Sequence, residues 1–151
     1  MNLKIDILKE EESYPYELLL LADETVDAIN KYLFDSDVYL VKNNSENVGV
    51  FCLYRINDTT IELKNIGVAE HFQSKGVGSL MIDFIKEKCS ENFKTLIVGT
   101  ADCGDQQIRF YEKNGFVKYD VRRNFFIDNY EKPIFENGIQ LKDMLMLKYE
   151  F

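Results

Sequence analysis

Tryptophan is absent from this 151-residue chain, histidine occurs once and cysteine three times. His71 and the cysteines Cys52, Cys89 and Cys103 form no C-x-x-C pair and no metal-ligand cluster. That spacing argues against a zinc site and against a disulfide framework, so reduced thiols and no metal are expected. Long apolar runs are missing too. "LLLLA" at 18–22 and "VGVFCLY" at 48–54 fall far short of the roughly 20 residues that span a bilayer. The first residues, "MNLKIDILKEEESY", carry no signal-like apolar region, so the expectation is a cytoplasmic protein with no membrane partner. Basic residues are outnumbered 18 to 26, a net charge of −8 that argues against general nucleic-acid binding. Repeats, low-complexity tracts and linkers are also lacking, and residues 1–151 are expected to form one domain.

What is present is apolar residue in regular patterns, 46% of the chain, enough for a sizeable core. Alternation predicts a strand at 3–8, and Leu18–Leu21, Val26, Ile29 and Leu33 predict one or two helices. Runs at 37–43, 48–56 and 61–68, separated by short polar turns, predict an antiparallel meander. Val77, Leu80, Met81, Phe84 and Ile85 make the stripe of a helix with one buried face. "TLIVGT" at 95–100 is continuously apolar, as a strand covered on both faces would be. A helix over about 105–113 stops at Asn114-Gly115, strands follow at 116–121 and at the end of the chain, and Pro133 with "ENG" at 136–138 marks a loop. A helix between the strands at 61–68 and 95–100 implies a parallel crossover. The expected class is α/β: a mixed, mostly antiparallel sheet with one parallel crossover and flanking helices.

The stretch "EHFQSKGVGSLM" at 70–81 places Gln73, Gly76 and Gly78 directly before that striped helix. It is not a P-loop, because no Lys-Ser/Thr pair follows the glycines, and it is not the dinucleotide fingerprint, whose third glycine would stand at Met81. The physics of a helix start still holds. Unpaired N–H groups carry a partial positive charge, and glycine lets an oxygen-rich group approach the backbone. A pyrophosphate suits such a place.

The order of elements, the Q-x-x-G-x-G of "FQSKGVGSLM" and the helix end "IRFYEKNGF" at 108–116 resemble the GNAT superfamily of acyl-CoA N-acyltransferases. The likeness spans nearly the whole chain, is most specific over 61–119, and extends at the C-terminal stretch to small bacterial members. It implies a GNAT fold and acetyl-CoA as cosubstrate. The pantetheine arm would lie between two splayed strands, paired with the backbone of Ile66, Gly67 and Val68 as an added strand would be. The pyrophosphate would sit on Gln73, Ser74, Lys75, Gly76, Val77, Gly78 and Ser79, with a charge from Lys75 (or none, if Lys75 is a solvated loop residue) and a hydroxyl from Ser79. Tyr111 stands at the family's tyrosine position and would protonate the leaving thiolate, unless it only packs. Phenol and thiol have ordinary pKa values near 10 and 8.5, so that transfer is only slightly uphill. Asp102 and Gly104 depart from the family's commoner N-x-x-A pattern, which weakens one secondary contact.

The reaction also needs a base. An alkyl ammonium with a pKa near 10.4 is free amine in only about one molecule in 2,500 at pH 7, a cost of about 4.6 kcal/mol. Glu62, eleven residues before Gln73, occupies the spacing of the catalytic glutamate in several members; a water chain or a merely solvent-facing glutamate is the alternative. His71 lies where the family varies, and is set aside as base. Residues 1–37 carry ten acids against three lysines, a net of −7, which would attract a cationic acceptor such as a polyamine, an aminoglycoside or a lysine side chain. The expected partner is thus a small-molecule or peptide amine, acetylated by a monomer or homodimer. The competing reading is a non-catalytic acyl-CoA-binding protein of the same fold.

Overall fold

Where the sequence alternates, the chain is extended. The computed structural model describes all of Met1–Phe151. β1 (Leu3–Ile7) leads through the short helix α1 (Tyr16–Leu19) and α2 (Val26–Leu33) into the meander β2 (Asp37–Asn43), β3 (Glu46–Arg55) and β4 (Thr60–Val68). Helix α3 (Val77–Cys89) crosses over to β5 (Thr95–Ala101), and α4 (Asp105–Lys113), β6 (Val117–Arg122), α5 (Phe125–Asp128), β7 (Phe135–Glu136), β8 (Ile139–Gln140) and β9 (Met144–Glu150) complete the chain. The main sheet has the order β1-β2-β3-β4-β5-β9-β6. Only β4 and β5 run parallel, joined by the α3 crossover.

Period-two alternation gives the sheet two apolar faces. One face carries Tyr39, Phe51, Leu63, Leu96 and Leu147 against Val77, Met81, Ile82 and Ile85 of α3. The other carries Val38, Leu40, Val50 and Cys52 against Leu18, Leu19, Ile29 and Leu33 of α1 and α2. Thr25 starts α2 by accepting the Ala28 N–H on its hydroxyl at 3.1 Å.

The α3 stripe differs from its expected membership in one respect. Val77, Met81 and Ile85 are buried at four-residue steps, joined by Ile82 and Cys89, while Leu80 is 44% exposed. The helix is turned so that Leu80 falls on its solvent flank; Phe84, half-buried, meets the Tyr39 and Phe51 rings at centroid distances of 5.7 and 6.0 Å. The expected loop at "ENG" is a hairpin turn. Asn137 and Gly138, at φ 50° and 77°, join β7 to β8.

Gly67 of β4 lies directly under α1. A Cβ there would come within 2.6 Å of the Leu18 carbonyl oxygen, a backbone atom that cannot swing away. Gly67→Ala is expected to destabilise the fold by about 1–3 kcal/mol, read as a lower urea midpoint at unchanged slope.

Candidate active site

The site begins where two parallel strands part. β4 and β5 pair from Thr60↔Thr95 to Leu63↔Val98 and no further. β4 continues along β3 to Val68, and β5 continues along β9 to Ala101. The parting coincides with a bulge, since Leu53 opposes Leu63 while Cys52 opposes Asn65, leaving Lys64 as the extra residue. The β4 edge from Asn65 to Val68 and the β5 edge from Gly99 to Ala101 thereby face each other without ladder partners. A cleft of about 1140 Å³ occupies the opening and continues over the α3 N-terminus.

Ile66, Gly67 and Val68 line this cleft, as do Gln73, Ser74, Gly76, Val77, Gly78 and Ser79 of the glycine loop. Gln73 shapes the loop by donating from Nε2 to the Val68 carbonyl at 2.9 Å. Ser74 and Gly76, at φ 61° and 82°, turn the chain into α3. The two glycines serve different purposes. A Cβ on Gly76 would meet nothing within 4 Å, whereas one on Gly78 would press on the Phe110 ring at 3.0 Å. Gly76 supplies a conformation; Gly78 lets α3 and α4 approach. The first bond of α3 runs from the Leu80 N–H to the Gly76 carbonyl, and no side chain caps the helix. The N–H groups of Val77, Gly78 and Ser79 are left as a concentrated partial positive charge.

Lys75 is an exposed residue of the loop. Its Nζ lies 5.4 Å from the Phe72 ring centroid and the residue does not line the cleft. A cation stabilised on an aromatic face has less to gain by reaching into the opening. The cations that do line it beside the loop are Arg109 and Lys113 of α4. Their four-residue spacing on one helix face was a readable signal.

Tyr111 and Glu62 both line the cleft. Tyr111 packs edge-on against Phe110 and Phe116 and is 6% exposed. Burial pushes its phenol above the ordinary range, with no charge or hydrogen bond opposing. Glu62, far from facing solvent, is 3% exposed. Its Oε1 is sealed without a hydrogen bond, and Lys64 Nζ stands 3.3 Å away. His71 is exposed, meets Glu46 at 2.7 Å and is not in the cleft wall; nor is Asp102. The cysteines contribute no nucleophile to the opening. Burial raises the Cys52 thiol to about 12 and the Cys89 thiol to about 11.

A buried polar chain supports the wall. Asn65 donates from Nδ2 to the Leu19 carbonyl at 3.0 Å and to the Tyr32 hydroxyl oxygen at 3.1 Å. Tyr32 donates to Asp23 at 3.0 Å, and Tyr130 donates to the other Asp23 oxygen at 2.6 Å. Burial, then the Asp23 carboxylate, pushes both phenols up, which keeps them donors. The direction of the chain follows from its end, since a carboxylate only accepts. The Asn65 amide is therefore fixed, and its Oδ1 is left buried with no partner. Strand alternation alone would put Glu62 and Asn65, three residues apart, on opposite faces. The bulge at Lys64 brings them to one face, and no sequence signal marked it.

The acidic excess of residues 1–37 lies mostly outside the cleft wall. Only Asp23 and Glu24 of its ten acids line the cleft, and the two tyrosines already occupy Asp23. Burial and the neighbouring Glu136 carboxylate hold Glu24 above the ordinary carboxylate range.

Residues 34–118 match the family model of the acetyltransferase (GNAT) domain. The chain is 36% identical over 147 residues to the uncharacterized N-acetyltransferase YvbK of Bacillus subtilis (strain 168), covering 97% of this chain and 95% of that one. Its structure is similar to a GNAT family acetyltransferase from Elizabethkingia anophelis with acetyl-CoA bound, at 40% identity, 99% coverage of both chains and a TM-score of 0.95. It is also similar to a Bacillus subtilis acetyltransferase in complex with CoA, at 34% identity, 99% coverage of both and a TM-score of 0.87. No group of His, Cys, Asp and Glu side chains that could hold a metal is present, and no helix is long and apolar enough to cross a membrane. The family model matches more than half of the chain and the Bacillus subtilis relative matches nearly all of it, so the chain belongs to the GNAT family of acetyltransferases.

Proposed function

We propose that this acetyltransferase moves the acetyl group of acetyl-CoA directly onto a primary amine while both are bound, residues 1–151 acting as one catalytic domain. The observation that carries the reading is the unpaired Asn65–Val68 edge running into the uncapped start of α3. An extended amide chain adds to the edge at Ile66, Gly67 and Val68 as a strand would. The N–H groups of Val77, Gly78 and Ser79 receive the pyrophosphate, with Gln73 and Ser74 holding the turn and Arg109 and Lys113 adding charge. Lys75 takes part through its backbone alone.

Acetyl-CoA supplies an activated thioester carbonyl. Glu62, which lines the cleft with Lys64 Nζ 3.3 Å from its Oε1, takes the proton that the arriving ammonium must lose. Tyr111 keeps its proton because of burial and delivers it to the departing sulfur. The same dry surroundings raise the basicity of a thiolate, so donor and acceptor shift together. The acceptor is a small-molecule or peptide amine, cationic at its reacting nitrogen.

Calorimetry with acetyl-CoA tests the coenzyme site. Gly76→Asp fills open space, and Asp tolerates positive φ better than most residues, so the variant folds while its carboxylate occupies the anion position. Binding is expected to weaken about tenfold or more, equivalent to about 1.4 kcal/mol. Wild-type protein giving no heat with acetyl-CoA would sink the reading.

A further inference from the structure

Away from the glycine loop the cleft has a second half, walled by Ala101, Phe126, Leu141 and Met144, and its charges can be accounted for one by one. Asp23 holds two tyrosine hydroxyls, Glu24 sits against Glu136, and Lys31 donates to the Asn129 carbonyl at 2.9 Å. Lys64 stands 3.3 Å from Glu62. Arg122, the last residue of β6, is left over. It is partly buried and lines the cleft, yet no carboxylate lies within 4.0 Å of it and no acceptor bonds it; its neighbour Arg123 is the residue that faces Asp143, at 3.9 Å. Arg122 pairs across the ladder with Met144, which pairs in turn with Ala101, so the guanidinium rises from the row at the open end of the β5 edge.

A guanidinium withdrawn from water without a partner is costly, and its planar fork of donors fits a carboxylate in two places at once. Glu62 lies within reach of the same region. Burial pushes the Tyr119 phenol up, Arg122 draws it down and Glu62 raises it further, so a cation and an anion flank that one ring of β6. The pair offers one charge of each sign to an acceptor.

Resting on the proposed amine acetylation, we infer that the acceptor carries a carboxylate beside its amine, and that Arg122 binds the carboxylate while the apolar wall of Phe126, Leu141 and Met144 takes the side chain. The class is an apolar or aromatic amino acid, or a compound with that arrangement of groups. Arg122 is then a specificity residue, and its free cation disfavours a polyamine in this half of the cleft.

The test uses matched acceptors: free amino acids, their amides and their decarboxylated amines, followed by thiol release and by mass of the acetylated amine. Wild-type kcat/KM should favour the free carboxylate by about 10–100-fold, the effect of one charged hydrogen-bond pair. Arg122→Gln should bring that ratio close to one, mostly through KM, and Arg122→Lys should restore part of it. Acetyl-CoA titration of each variant reports whether the fold and coenzyme site survive. A wild-type ratio near one, or a preference that persists in Arg122→Gln, overturns the inference while leaving amine acetylation standing. Thiol release with no acetylated amine from any acceptor overturns both.

Discussion

Tyr111→Phe is expected to bind acetyl-CoA like the wild type and to turn over about 10²–10⁴-fold more slowly, the range for a lost acid–base group. The substitution removes one oxygen from a side chain that otherwise packs on Phe110 and Phe116, so little volume changes and the core contacts remain. What disappears is the proton for the leaving sulfur. The pH profile gives a second check. Burial moves the phenol upward, so its protonated form persists past the ordinary value near 10, and activity between neutrality and pH 10 should show no decline from its ionisation. Turnover equal to the wild type would reduce Tyr111 to a packing residue.

Glu62→Gln should cost a similar factor, about 10²–10⁴, with a different signature. The carboxylate takes the ammonium proton and the amide cannot, so the loss should be largest for strongly basic amines, which arrive protonated, and smaller for a weakly basic amine that arrives free. The shape of the side chain is preserved, and Lys64, losing its partner, still lies near the Tyr54 and Tyr32 rings at 5.6 and 6.0 Å. Thermal melts should confirm a folded variant. Near-normal turnover would move the proton to a water chain and leave Glu62 as a structural carboxylate.

Much of the architecture was legible because it rests on local pattern. Alternation at 37–43, 48–56 and 61–68 became the β2–β3–β4 meander, and Asn114-Gly115 ended α4 with Gly115 at φ 93°. The helix start at Gly76 was legible for the same reason. The features that escaped depend on tertiary placement. Lys75 had two readings, a charge for the cleft or a solvated loop residue, and the sequence did not show that the Phe72 ring lay within its reach. The acids of residues 1–37 were counted together, although chain direction sends most of them elsewhere on the surface. Glu62 had a solvent-facing alternative because alternation shows that a residue points away from one layer, not that Lys64, Tyr54 and Ile97 will enclose it. Arg122 sat at the end of an exposed strand, where nothing in "VKYDVRR" distinguishes it from Arg123.

The extra residue at position 64 carries a consequence for how this chain tolerates change in length. A ladder with two-residue periodicity has parity. Deleting Lys64 would remove the extra residue and leave Glu62 and Asn65 two positions apart, on one face by ordinary alternation, with Leu53↔Leu63 and Cys52↔Asn65 as successive rungs of a regular ladder. Asn65 would keep Leu19 and Tyr32 in reach, and what would be lost is the irregularity at which β4 leaves β5. Deleting Ile66 instead would reverse the two residues behind it and drive the bulk of Val68 against the α1 backbone that now admits only Gly67. A gap at 64 should therefore spare the fold and narrow the cleft, whereas a gap two positions on should cost the fold itself.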